Sequence, residues 1–507
     1  MKKYYVTTAI PYVNAAPHVG FAMEVVQADF LARYHRLKGD ETYFVTGVDE
    51  HGVKLYETAK KAGKDTKAFA DENAEKFEAL KGKLNLSNDD FIRTTSDRHK
   101  AGVRKFWKKL VEAGDIYKGS YKGNYCSGCE AFVSDKDLDE EGNCPVHKRQ
   151  PEQLEEENYF FKLSKYSDKV KELIEKDEYL ILPLSRKHEM LNIIGEEGLR
   201  DVSFSRPKNV LPWGIDVPDD DSQVIYVWGD ALTNYITAID YENEGDLFGK
   251  FWPCDAHIIG KDILRFHAGI WPAMLLSACV ELPKALYVHG FITGEGQKMS
   301  KSIGNVIDPL EYVEKYGIDA LRYYLMREIP TTDDGDFSQS RFEELYNSEL
   351  ANGVGNMVNR VVIMTEKYAG GKAPAKTDGK GVKDEVLKLV ADYERAIGDF
   401  DLKKACEAVV GLVDFGNKYI DDKKPWEMMK EVDSDGAKEV PEVLYNLLEV
   451  LRYLVILLLP IMPETAAKIA VQIGLKADGL SFDEEWGQIK EGAEIKKEDS
   501  LFPRLED

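Results

Sequence analysis

Lys298-Met299-Ser300-Lys301-Ser302 puts two lysines among hydroxyls just after Gly290, Gly294 and Gly296. Ammonium groups so placed can grip a triphosphate and neutralise the charge that develops on departing pyrophosphate. A solvated basic loop would use the same residues. A second phosphate-binding candidate lies near the N-terminus, where Pro17-His18-Val19-Gly20-Phe21 opens a helical pattern. The free amides and dipole of a helix start favour anions, Gly20 lets a nucleotide approach the backbone, and His18 can donate to phosphate; a plain turn and cap also fits. Neither Gly-x-x-x-x-Gly-Lys-Ser/Thr nor a Gly-x-Gly-x-x-Gly after the first strand occurs, which weakens kinase-like and dehydrogenase readings.

A third constellation suits a metal. Cys126-x-x-Cys129 and Cys144-x-x-His147 offer four ligands from two tight turns separated by 14 residues, the arrangement of a closed, tetrahedral, structural zinc site. Six cysteines are few for this chain, and three of them crowd together with a histidine, a clustering that favours metal over disulfides.

The elements that would position these groups follow from periodicity. A strand over residues 4–8, a helix over 19–37 and a strand over 42–46 open a parallel, doubly wound sheet. Helical patterns continue over 66–80 and 100–113, after which glycines and cysteines interrupt the sheet. Strand-like runs return at 223–228, 256–259 and 285–288, with a helix over 263–278, and read as the second half of the same sheet. Ligands of such sheets bind outside the carboxyl ends of the strands, here the loops 9–17, 47–52 and 260–262. From residue 340 onward the pattern is helical and ends in a buried apolar helix over 447–459, a helical bundle.

At 507 residues the chain calls for several cores. The expected units are a catalytic first half (1–115), an insertion with the zinc knuckle (116–222), the catalytic second half (223–290), a stem-contact region with the lysine loop (291–345) and a helical domain (346–507). Hydrophobic residues at 43% and charged residues at 31% suit a soluble protein, and no secretory signal or membrane span is read, so a cytoplasmic location is expected. A net charge of -23 argues against broad, charge-driven adhesion to nucleic acid or anionic membrane. It leaves room for an RNA partner, because screening over about 8 Å lets a local basic surface such as residues 100–109 act alone.

The motifs at His18 and Lys298 resemble the HIGH and KMSKS signatures of class I aminoacyl-tRNA synthetases, and within that class the chain is similar to the methionyl-tRNA synthetases from its first strand to about Pro503. The resemblance implies a Rossmann-like α/β fold split by a zinc-binding insertion and followed by an all-α anticodon-binding bundle. It implies that methionine is activated with ATP to methionyl-adenylate and passed to initiator and elongator tRNA(Met). His18, Lys298 and Lys301 would be catalytic, with Gly20, Phe21, Asp262 and Ser300 completing the ATP site. The methionine pocket would comprise Ile10, Tyr12, Asp49, Arg206, Trp228, Ala231, Tyr235, Phe266, His267 and Trp271, with Asp49 taking the ammonium group and Arg206 pairing with Asp49. Asn356, Arg360 and Trp426 would contact the anticodon. Mg2+ would accompany ATP, although no sequence feature fixes its ligands, and one structural Zn2+ would sit in the knuckle. A monomer is expected, since the chain stops where some relatives continue into a dimer-forming domain. One departure is Phe21, which stands where the family has a second histidine and shifts weight onto His18, Lys298 and Lys301.

Residues alone leave two rivals: a nucleotidyltransferase that adenylates another small carboxylate without tRNA, and a zinc-containing tRNA-binding protein that has lost catalysis.

Overall fold

The computed structural model describes residues 2–126, 131–133, 138–139, 141–145, 148–299, 306–430, 434–477, 479–482 and 485–506. Its central sheet has six parallel strands: β1 (Lys3–Thr8), β2 (Glu41–Val48), β3 (Asp90–Arg93), β4 (Leu180–Leu182), β5 (Ala256–Gly260) and β6 (Ala285–His289). They lie in the order β3-β2-β1-β5-β6-β4. Val6 of β1 faces Phe44 of β2 on one side and Ala256 of β5 on the other. The chain leaves β1 toward β2 and leaves β5 toward β6, so the order reverses between β1 and β5. Loops diverge at such a switch point and open a crevice beyond the strands' carboxyl ends.

Helix α1 (Val19–Leu37) follows β1. Its apolar residues run nearly all round, because it packs on β1, β2 and β5 and also against a helix at Ile318–Arg327. A chain buried on every side has no need of a polar stripe. The carboxyl end of β6 runs into a hairpin of Ile292–Gly294 and Gln297–Lys298, which pairs with Gly335–Phe337. Beyond it the chain is helical; the long helix Asp435–Leu458 is buried almost throughout its second half. Among the described residues no helix is long and apolar enough to cross a membrane.

Two expectations are corrected. The strand read over 223–228 ends at Ile225 and belongs to a separate antiparallel sheet of Ser205–Pro207, Asp216–Val217 and Asp220–Ile225. Alternating burial marks a strand but not its partner, and here a tight local hairpin at 217–220 captures it. The main sheet is instead completed by β4, which lies within 116–222. The single helix read over 263–278 is broken into a 3-10 turn at Lys261–Ile263, a π segment at Phe266–Ile270 and an α-helix at Trp271–Ser277. Pro272 lacks the N–H that a regular α ladder would need, and the turn before it widens.

Candidate active site

At the amino end of α1 the His18 Nδ1 accepts a hydrogen bond from the Gly20 amide at 3.0 Å. An amide only donates, so in the neutral ring the proton sits on Nε2, leaving a donor on an exposed side chain. A Cβ on Gly20 would lie 2.9 Å from the imidazole and push it off its cap. Phe21 turns away from this end and meets Phe77 edge-on at 5.3 Å in the core. Its ring therefore offers packing, not a phosphate contact. The Val19 amide donates to the Ile307 carbonyl at 3.2 Å, so the chain just beyond the lysine loop returns to the first turn of α1. Ser300 and Lys301 lie outside the described residues; Lys298 ends the strand Gln297–Lys298.

The loop after β1 and the loop after β2 are stitched together. The Asp49 amide donates to the Pro11 carbonyl and the Val13 amide to the Asp49 carbonyl, at 2.9 and 3.2 Å, with Tyr12 bridged to Asp49. Asp49 is buried, and its Oδ1 accepts from the His51 amide. Ile10, just after β1, packs against the cluster of Tyr5, Val45 and Ile92.

The expected aromatic residues converge. Trp228 stacks on Phe266 with centroids 3.8 Å apart and meets His267 edge-on; Ala231 is buried on the same short helix as Trp228, Val227–Ala231. Tyr235 contacts His267 and Trp271. His267 Nδ1 lies 3.1 Å from the Ile263 carbonyl, which can only accept, so Nδ1 carries the proton and Nε2 accepts from the Tyr235 hydroxyl at 2.6 Å. By the same logic His257 Nε2 accepts from Trp271 Nε1, and its Nδ1 donates to Thr7. Burial pushes the His267 imidazole down to about 4, against the opposing pull of the Ile263 carbonyl. A neutral wall suits an apolar ligand.

Holding His267 neutral has a cost at low pH. Its folded pKa lies below the ordinary 6.5, so its stabilising contribution is complete above pH 6.5 and is lost as pH falls toward 4. Lowering pH from 7 to 5 is expected to remove about 2 kcal/mol through this residue. Urea unfolding at the two pH values should show a smaller loss in His267→Gln than in the parent; equal losses would contradict the assignment.

Arg206 is buried in the small antiparallel sheet, donating to Ser203 Oγ and the Ser205 carbonyl at 2.8 Å each and lying over the rings of Tyr125 and Tyr226. These contacts hold it away from the expected pairing: among the described residues no ion pair joins it to Asp49. Asp262 is exposed at the cleft mouth, and a Cβ on Gly260 would lie 2.8 Å from its carboxylate and 3.6 Å from His289.

Sequence reasoning missed two buried polar clusters here. His289 shares a 2.9 Å contact with Glu24 of α1 and donates from Nδ1 to the Gly290 carbonyl. Burial raises the Glu24 carboxyl, and Glu24 raises His289 against its own burial. Glu24 Oε1 is buried and accepts no hydrogen bond among the described residues. Asp230, on the Trp228 helix, binds His51 and His99 at 2.6 and 2.7 Å. Burial would raise the Asp230 carboxyl, but the imidazoles, His51 first, outweigh it and hold the group ionised. The available signal was a carboxylate inside an otherwise apolar run.

Cys126 ends the strand Ile116–Cys126, and the Cys144 turn is closed by Lys148 N–H to Cys144 carbonyl and Cys144 N–H to Arg149 carbonyl, at 2.7 and 2.9 Å. Both thiols are buried. Cys129 and His147 lie outside the described residues. In the helical half, Asn356 begins the helix Asn356–Ala369 and is exposed. Arg360, one turn on, binds Asn417 and Asp421 and lies 6.0 Å from the half-exposed Trp426 ring.

Comparison with known proteins decides the family. Residues 4–153 and 140–362 match the description "tRNA synthetases class I (M)", and 369–507 match "Anticodon binding domain of methionyl tRNA ligase". The chain belongs to the methionyl-tRNA synthetase family. A methionine–tRNA ligase of Thermotoga maritima is 42% identical over 99% of this chain and 80% of its own length. That of Streptomyces coelicolor is 42% identical over 100% of this chain and 97% of its own. Mycobacterium tuberculosis methionyl-tRNA synthetase in complex with methionyl-adenylate superposes with a TM-score of 0.94 at 38% identity, covering 99% of this chain and all of that one. The switch-point crevice, the capped start of α1 and the aromatic cluster all lie within the part of the chain that matches the class I synthetase description.

Proposed function

We propose that the crevice between the β1 and β5 loops is where this methionine–tRNA ligase joins methionine to ATP, and that the helical half selects the tRNA. The carrying observation is the convergence of Trp228, Phe266, Tyr235, His267 and Trp271 beside the buried Asp49 loop, at the same switch point as the capped start of α1. Methionine is unbranched and polarizable, so its thioether packs well against aromatic edges, and Asp49 supplies the charge for its ammonium group. His18, Lys298, Ser300 and Lys301 take the phosphates. Asp262 and the unsatisfied Glu24 oxygen are acceptors for ribose hydroxyls.

The methionine carboxylate attacks the α-phosphate and the bond to pyrophosphate breaks; a hydroxyl of the terminal ribose of tRNA then attacks the methionyl carbonyl of the adenylate, and AMP leaves. No protein nucleophile is needed; orientation contributes roughly 7–11 kcal/mol, and charge stabilisation adds to it. Mg2+ bound with ATP would supply further charge neutralisation on the phosphates. The buried thiols of Cys126 and Cys144, each at a turn, fit half of a structural zinc site, with Cys129 and His147 as the remaining ligands. Zinc there would fix the insertion. The chain acts as a cytoplasmic monomer on initiator and elongator tRNA(Met).

Single-stranded loops are read by stacking on aromatic side chains and by hydrogen bonds to splayed bases, and the adjacent Trp426, Arg360 and Asn356 provide both. Methionine-dependent pyrophosphate exchange, followed by transfer to tRNA, tests the whole reading. Trp426→Ala should lower kcat/KM for tRNA charging about tenfold, the equivalent of one stacked base at about 1–3 kcal/mol, and leave exchange intact. Equal loss of both activities would assign Trp426 to folding.

A further inference from the structure

We infer that Asp230 is a positioning residue that sets methionine affinity by locking the Asp49 loop against the aromatic wall. The inference rests on the proposed roles of Asp49 and Trp228. Asp230 is fully buried on the short helix Val227–Ala231, two residues after Trp228, whose ring stacks on Phe266. Its two carboxylate oxygens are divided: Oδ2 receives Nδ1 of His51 at 2.6 Å, and Oδ1 receives Nε2 of His99 at 2.7 Å. A carboxylate ionised in the interior accepts only, so each imidazole presents an N–H to it. His99 is held at its other nitrogen by Thr237 Oγ1 at 2.7 Å.

His51 carries the link onward. Its side chain is tied to Asp230, while its backbone amide donates to Asp49 Oδ1 at 3.1 Å. The orientation of the Asp49 carboxylate and the position of the Trp228 helix are thus joined through one residue. Neither the amide nor the ring of His51 can shift alone without breaking a buried charge-assisted bond. Glu50, between Asp49 and His51, is pinned independently: its carboxylate binds Arg93 and Thr95, and its carbonyl accepts from Trp213 Nε1 at 2.6 Å. Rotation at residue 49 or 51 is what Asp230 suppresses. The phosphate side of the crevice, at His18 and Gly20, shares none of these bonds.

Asp230→Asn keeps the shape and replaces one acceptor oxygen by an N–H2 group that faces an imidazole N–H. In pyrophosphate exchange the KM for methionine should rise at least tenfold while the KM for ATP stays within twofold. A purely structural role would move both constants together or reduce only the active fraction, and either result overturns the inference, as does an unchanged methionine KM. If Asp230→Asn does not fold, His99→Gln, which frees the distal oxygen, must show the same split; without it the inference fails. Asp49→Asn is measured in parallel. An unchanged methionine KM there rejects the ammonium site itself, whereas a raised KM for Asp49→Asn beside an unchanged one for Asp230→Asn rejects only the positioning role.

Discussion

Replacing Arg322 by methionine is expected to destabilise the fold by about 3–5 kcal/mol, the range for removing one member of a buried ion pair. Arg322 and Asp29 are both fully buried, with Nη2 and Oδ2 2.7 Å apart. The guanidinium also donates to the carbonyls of Ile461, Pro460 and Leu84 at 2.8, 3.0 and 3.1 Å. Methionine fills much of the volume but leaves three buried carbonyls without that donor and strips Asp29 of one of its two cations, the other being Arg33 at 2.7 Å. Burial would raise the Asp29 carboxyl, yet Arg322 and then Arg33 outweigh it and hold it below its ordinary value. That stabilisation is present above the ordinary carboxylate pKa and is lost as pH falls, so the measurement belongs at neutral pH. Urea unfolding is the readout. A loss below about 1 kcal/mol would show that Arg33 and Ser87 suffice. In Asp29→Asn with Arg322→Met the two losses should fall well short of adding, because the partners touch.

The same junction says how the halves are joined. Asp29 lies on α1, the helix whose capped end carries His18, while Pro460 and Ile461 form the turn between Asp435–Leu458 and Pro463–Gln472. Ser87 donates twice to Asp29, bringing in the segment before β3. One buried ion pair therefore fastens four separate parts of the chain: α1, the segment at 84–87, the helix Ile318–Arg327 and the turn at 460–461.

Local grammar explains what the sequence disclosed. Helix α1 is read as residues 19–37 and found as Val19–Leu37, because His18 is a side-chain cap and the apolar run leaves the interior no other use. The aromatic pocket is legible only through resemblance: taken singly, Trp228, Tyr235 and Trp271 are ordinary core residues. Asp230 stands out as a carboxylate in an apolar run, but its partners were illegible for a different reason. Its partners His51 and His99 stand 179 and 131 residues away, and no local period relates them. The run at 223–228 shows the complementary failure, in which a strand is recognised but its sheet is not. Pro272 carried a readable sign that the helix at 263–278 would not run straight, since proline removes a ladder donor.

Lys301→Ala is expected to slow methionine-dependent pyrophosphate exchange 10²–10³-fold, as loss of one preorganised group facing developing charge does elsewhere, about 2.7–4 kcal/mol. Lys301 itself lies outside the described residues, so the argument comes from what surrounds it. The hairpin leading to the lysines is fastened at its turn: Asp336 Oδ1 accepts from Thr293 Oγ1 and the Gly296 amide at 2.6 and 2.7 Å. On the far side Ile307 is bonded to the first turn of α1. The described residues on both sides of the loop are thus held in place. In the proposed site Phe21, packed on Phe77, supplies no second imidazole, so that reading puts more of the cationic share on Lys298 and Lys301. Charge on the leaving pyrophosphate exists only as the bond breaks, so the effect should appear in kcat with the methionine KM within about twofold. An unchanged exchange rate, or a methionine KM rising in step with the loss, would remove Lys301 from the reaction and return the loop to the solvated basic segment that its composition alone suggests.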